Sequence, residues 1–257
     1  MKGAIFDGKS NMRLVFQQFP WVHAPAPHAF KPLFLRFGHR ETLMPGQAIY
    51  NGGVDAEVAF ILSGLCTYRM QDARDGEHYL TLACEGRLAG NVDGFTGDVV
   101  NILDYALRPT EVLLINRRAF LDLLAADPVL EREHMQMLVS EHESDMEGMF
   151  SALTDPLPVR LAKLLAALVF RNEPRGRFDW RKAKATITPE PIPYALTVTE
   201  SAKVVCASRT AVSLCMSEWE KDGLLLRRNG TRLLTPALLD LIPGDWLDGR
   251  DPVGQNS

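Results

Sequence analysis

TVTESAKVVCASRTAVSLCMSEWEKDGLLLRRNGTRLL, residues 197–234, carries the start and stop signals of two short helices followed by a hairpin. Thr197-Val198-Thr199-Glu200 matches a capping box, in which the threonine hydroxyl and the glutamate carboxylate each accept from the other residue's backbone N–H. It introduces a short helix, SAKVV. A tight connection at Cys206-Ala207 leads to Ser208, a residue type that caps a second helix. On that helix Val212, Cys215, Met216 and Trp219 recur at spacings of three and four, which makes one buried face, and Asp222-Gly223 ends it. Two helices joined in this way form a helix-turn-helix, whose second helix enters a major groove with its N-terminal residues foremost.

That placement sets Arg209 and Thr210 against base edges, with Ser213 and Leu214 a turn further along. Arg209 has the geometry to bond a guanine through both guanidinium arms. Thr197, Thr199 and Ser208 complete the set expected near DNA on the two helices. Beyond them Arg227, Arg228 and Arg232 flank an Asn229-Gly230 turn, a hairpin wing suited to phosphate contact.

A helical pair inside an enzyme core shares this local pattern, so the distribution of charge decides between the readings. The formal charge of −4 hides an asymmetry. Residues 1–155 hold 13 Lys+Arg against 21 Asp+Glu, and residues 156–257 hold 15 against 11. Between positions 156 and 235 the ratio sharpens to 14 against 7, the footprint of a small module facing phosphates. Double-stranded DNA is therefore the expected partner.

The chain has 257 residues, of which 46% are hydrophobic, enough for two domains with a sizeable core. No apolar run is long enough to span a bilayer, and the first residues lack a secretory pattern, so the expectation is a cytoplasmic protein without membrane contact. Cys66, Cys84, Cys206 and Cys215 form no CxxC pair, and the six histidines no HxH pair. No metal site, catalytic set or cofactor is expected from these, and a cupin-like enzyme, which needs clustered ligands, is the distant alternative.

From Glu41 to Ile115 short apolar runs alternate with turn residues, the pattern of a barrel or sandwich. Val58, Phe60 and Leu62 alternate with Ala59, Ile61 and Ser63, which suits a strand covered on both faces. Asp75-Gly76 is the strongest turn signal, and the glycines at 52, 53, 64, 86, 90 and 94 fall where other turns are needed. The first forty residues read as an irregular arm packed on this barrel. Helical period begins at Arg118, and one long helix is expected from about Pro128 to Leu153. Met135, Val139, His142, Met146, Met149 and Leu153 recur at 4, 3, 4, 3 and 4, the seam of a two-stranded coiled coil. Glu131, Glu133, Glu141, Glu143, Asp145 and Glu147 make the faces outside the seam acidic, so a second copy of the chain is the expected partner. Asp155-Pro156 supplies a cap and a helix-starting proline at the domain boundary.

This order of elements resembles the Crp/Fnr family of bacterial transcription regulators over roughly residues 40–240. PGQAIYNGGVDAEVAFILSG, DGEHYLTLACEGRLAG, PVRLAKLL and LTVTESAKVVCASRTAVSLCMSEWEKDGLL carry the likeness. The resemblance implies an α+β architecture: an arm (1–40), a jelly-roll-like β-roll that senses an effector (41–127), a dimerisation helix (128–154), a winged helix-turn-helix (155–243) and a tail (244–257). It also implies a homodimer on a palindromic operator, contact with RNA polymerase, and Arg209 as the family's first recognition-helix arginine. Thr210 and Leu214 stand where cyclic-nucleotide-responsive members carry glutamate and a second arginine. Cys206 replaces the glycine usual in that turn.

Nucleotide-binding members hold the ribose with a glutamate after the strand-end glycine and the phosphate with a later Arg-Ser pair. Here Asn91 follows Gly90 and the later segment reads Asp98-Val99-Val100-Asn101, so cAMP is not expected. The cysteine cluster of iron–sulfur members is absent from the arm, and haem ligands are unmatched near Ala89 and Asn91. AGNVDGFTGDVVNILDYALRPTEVLLI, residues 89–115, instead resembles regulators that bind chlorinated aromatics. In the family the long helix closes the roll's pocket, which implies an effector site of Val92, Phe95, Val99, Met135 and Leu138 with Asn91, Asn101 and His142 as polar handles. A regulator of the same fold that has no ligand, or that answers to pH or redox state, is the alternative.

Overall fold

The computed structural model describes residues 18–49, 56–71, 76–90, 102–172, 184–185 and 187–243. The first described element is a helix, α1 (Phe30–Phe37), inside the segment read as irregular. Its Phe30 and Phe34 are fully buried, so a four-residue apolar repeat forms the contact face. Strand β1 (His39–Leu43) follows, beginning two residues before the roll was expected to start. Then come β2 (Glu57–Ser63), β3 (Leu65–Gln71), β4 (Glu77–Cys84), β5 (Leu88–Ala89), β6 (Ile102–Ala106) and β7 (Thr110–Asn116). They pair into two antiparallel sheets, ordered β1-β7-β2-β5 and β4-β3-β6.

Strand periodicity sorts their side chains into layers. Ala59, Ile61, Val112 and Leu114 of one sheet meet Cys66, Ala83 and Ala106 of the other in an inner core. The alternate residues Val58, Phe60, Leu113 and Ile115 point outward, where Phe30, Phe34 and Phe120 cover them. β2 is thus covered on both faces, as its nearly continuous apolar run requires. The β2–β3 turn needs a glycine: Gly64 has φ +101, and a Cβ there would lie 2.7 Å from the Pro109 carbonyl oxygen.

Helix α2 (Arg117–Ala126) is capped by Asn116, and α3 (Pro128–Thr154) by Asp127, whose carboxylate accepts from the N–H groups of Val129 at 3.0 Å and Leu130 at 3.2 Å. Asp155 does not cap the next helix, α4 (Leu157–Phe170). Its carboxylate is turned back instead, accepting from Ser151 Oγ at 2.5 Å and Lys163 Nζ at 2.7 Å, and Pro156 occupies the N-cap. A buried lysine on α4 takes the carboxylate that a cap would have used.

The acidic faces of α3 are only partly solvated. Glu141 and Glu147 are buried, along with Ser144, Gly148 and Ser151. Residues 18–24 form a strap across this face and along β4. Val22 bridges Leu82, and Ser144 Oγ donates to the Phe19 carbonyl at 2.6 Å. The Trp21 ring lies where a Cβ on residue 148 would sit, 2.7 Å away, so this close crossing requires a glycine. His23 places its ring nitrogens 3.6 Å from Glu141 and 3.5 Å from Asp145, and Lys163 lies 3.4 Å from Glu147. Countercharges that arrive from distant segments let the carboxylates leave water.

The C-terminal elements are β8 (Glu190–Pro191), α5 (Val198–Val204), α6 (Arg209–Lys221), β9 (Leu225–Arg228), β10 (Thr231–Leu234) and α7 (Pro236–Leu239). The three strands form a small sheet ordered β8-β10-β9. One buried cluster joins Leu161, Leu165, Val204, Val212, Met216, Trp219 and Leu234 of this part to Trp21, Leu65, Tyr79 and Leu82 of the strap and roll. The helical part is therefore packed onto the outer face of the β4-β3-β6 sheet of the roll.

Candidate nucleic-acid interface

Helix α5 begins with the complete capping box. Thr197 Oγ1 accepts from Glu200 N at 3.1 Å, and Glu200 Oε2 accepts from Thr197 N at 2.7 Å. The hydroxyl of Thr197 is thereby engaged in the cap, whereas Thr199 is exposed. The turn to α6 passes through Cys206 in the left-handed region, φ +51, a conformation that costs a cysteine more than a glycine. Arg160 of α4 reaches across to donate to the carbonyls of Val205 at 2.6 Å and Cys206 at 3.2 Å. Its role was invisible from the sequence, because the partners are backbone atoms more than forty positions away.

Ser208 caps α6 by accepting from Ala211 N at 3.1 Å. Val212, Cys215, Met216 and Trp219 form the buried face. The opposite face presents Arg209, Thr210, Ser213, Leu214 and Ser217, all exposed, so the structure brings the first four together on one surface as the spacing predicts. Ser217 continues that surface by one more turn and was not singled out from the sequence.

Asn229 and Gly230 both have positive φ, +50 and +79, the conformation that joins two strands by a two-residue turn. The wing arginines differ. Arg227 Nη2 and Arg232 Nε lie 3.1 and 3.2 Å from the same Glu220 carboxylate of α6, while Arg228 is exposed on the other face of the hairpin. Strand alternation produces this split, since 227 and 232 are cross-strand partners. Two of the three arginines thus hold the wing against α6. A cavity of about 60 Å³ under the wing, lined in part by Leu165, Ser201, Met216 and Arg232, is far smaller than a typical ligand pocket.

Solved structures share this fold over nearly their whole length. FixK2 from Bradyrhizobium japonicum is 13% identical with a TM-score of 0.65, the match covering 80% of this chain and 97% of that one. CooA from Carboxydothermus hydrogenoformans, solved as a mutant, is 17% identical with a TM-score of 0.61, covering 87% and 97%. TTHA1359 from Thermus thermophilus, a transcriptional regulator of the CRP/FNR family, is 18% identical with a TM-score of 0.57, covering 82% and 98%. The fold is that of the Crp/Fnr regulators. No protein-family model matches the sequence, and no curated protein does.

Within this Crp/Fnr fold, α3 turns the predicted seam away from its own roll. Met135 is 52% exposed, Val139 57%, Met149 55% and Leu153 84%, with Met146 and His142 also exposed. Among the expected effector-site residues, Leu138 is half-buried and Met135 and His142 lie on the exposed face. Asn91, Val92, Phe95, Val99 and Asn101 lie outside the described residues, as do Asp98 and the turn residue Asp75. The histidine that α3 does bury is His134, against the rings of Phe30 and Phe120, and desolvation lowers its pKa to about 4. No helix among the described residues is long and apolar enough to cross a membrane.

Proposed function

We propose that the chain is a sequence-specific, DNA-binding transcription regulator of the Crp/Fnr family that acts as a homodimer in the cytoplasm. The observation that carries this reading is the exposed face of α6, where Arg209, Thr210, Ser213 and Leu214 project from a capped helix in a net-basic module. The exposed apolar seam of α3 supports dimerisation, because a dimer covers that stripe and sets two recognition helices against a palindromic operator. RNA polymerase is the second macromolecular partner. The effector is a molecule other than a cyclic nucleotide, since Asn91 and Asp98 replace the groups that would grip ribose and phosphate. An apolar or aromatic molecule fits the composition of residues 89–101. It acts by favouring one of two packings of the seam, which requires different affinity for the two states.

The test is selection of duplexes from a random library by the full-length protein, followed by binding titrations. A palindromic consensus is expected. Arg209→Ala should lose about 1–3 kcal/mol on the consensus and relax one position, whereas Arg228→Ala should weaken all sequences alike. Equal binding to every duplex would overturn the proposal.

A further inference from the structure

Leu214 is 61% exposed in the middle of an otherwise polar helix face, one turn from Thr210 and beside Ser213 and Ser217. Elsewhere on α6, Val212, Cys215, Met216 and Trp219 enter the core, and Glu220 holds the wing. An exposed leucine on a soluble helix needs no explanation by itself. Its position does: it shares the surface of Arg209, whose guanidinium is the group best suited to a guanine edge.

We infer that Leu214 reads the C5-methyl group of a thymine in the major groove, so that each half-site is specified by a guanine at Arg209 and a thymine at Leu214. This rests on the function proposed above. The thymine methyl is the one apolar feature that the four standard bases display in the major groove, and a leucine side chain can neither donate nor accept a hydrogen bond there. Against the N4 amino group of cytosine or the O6 of guanine, Leu214 would strip water from a polar atom and return nothing, so it selects for thymine and against those bases. Leu214 lies five positions beyond Arg209 on the helix, about 7.5 Å of axial rise, or about two base steps. The two contacts therefore fall within one half-site.

The experiment starts from the consensus selected by the full-length protein. Each thymine of one half-site is replaced in turn by deoxyuridine, which removes the methyl and nothing else, and affinities are measured by anisotropy for wild type and Leu214→Ala. At one thymine near the conserved guanine, wild type should lose about fourfold in affinity, the worth of one buried methyl, and Leu214→Ala should lose nothing. Placing 5-methylcytosine at that position should bind wild type more tightly than cytosine. If wild type tolerates deoxyuridine everywhere, or if Leu214→Ala keeps the loss, the assignment is overturned while the regulator reading stands. Failure to select any consensus overturns both. Alanine at this exposed helical position should leave the fold intact, and thermal melts of the variant check that it does.

Discussion

Arg108, in the turn between β6 and β7, donates from Nη1 and Nη2 to the two carboxylate oxygens of Glu200 at 2.7 and 2.8 Å. Glu200 is also the residue that closes the capping box of α5. One carboxylate therefore both starts α5 and ties it to the roll. Arg108 reinforces the tie by donating to the Ala195 carbonyl at 3.0 Å, and Lys203 one turn along α5 pairs with Glu77 of β4. Burial pushes the Glu200 carboxyl up, but the hydrogen bonds from Arg108 and Thr197 outweigh it and hold the carboxyl below its ordinary value.

Arg108→Ala should loosen this docking without unwinding α5, since the capping box survives. A loss of about 1–2 kcal/mol in urea unfolding is expected, with faster hydrogen exchange in α5 and at the α5–β4 contact and little change in the inner core of the roll. Unchanged exchange in α5 would show that the pair is an idle surface contact.

Met149→Glu would place like charges face to face in a dimer built on α3. Because Met149 is exposed in the single chain, its replacement should leave the fold unaltered and weaken association by about 100-fold or more. Sedimentation equilibrium reads the result directly, and an unchanged dimer mass would locate the interface elsewhere.

The two buried histidines should give opposite pH signatures. Burial alone would lower the pKa of His23, but Glu141 and Asp145, helped by Asp104, outweigh it and raise the pKa above its ordinary value. Its contribution to stability is then complete below about pH 6.5 and is lost as pH rises through the raised value. His134, lowered to about 4, does the reverse: below about pH 6.5 the unfolded chain takes up a proton that the folded chain refuses. That costs about 3 kcal/mol by pH 4. Urea titrations across pH should show the alkaline loss disappear in His23→Gln and the acid loss shrink in His134→Phe. Identical pH profiles for either variant and wild type would remove that histidine from the account.

Gly148→Ala tests the strap. Alanine favours the helix by about 1 kcal/mol, but its Cβ would collide with the buried Trp21 ring and displace residues 18–24 at a cost of about 1–3 kcal/mol. The variant should be less stable than wild type, and in a Trp21→Ala background the same change should become neutral or stabilising. A stabilising effect in the wild-type background would show that the strap is easily displaced.

Residues 197–234 could be read from the sequence because their decisive interactions are local. The capping box, the Ser208 cap, the three-and-four spacing of α6 and the Asn229-Gly230 turn all act within a few positions of each other, so residue type and spacing suffice to determine them. The same holds for β2, whose alternation between two buried faces is a property of a single strand. The tertiary structure alone decided where charges would go. Glu141 and Glu147 look like solvated residues until His23 and Lys163 arrive from other segments, and nothing in the spacing of Asp155 announces that Lys163 will claim its carboxylate. Glu200 has the spacing of a cap residue, but its pairing with Arg108 spans 92 positions, and Arg227 and Arg232 look equivalent to Arg228 until Glu220 takes two of the three. An ion pair depends on distance in space and carries no sequence period, so such partners become visible only when the chain has closed on itself.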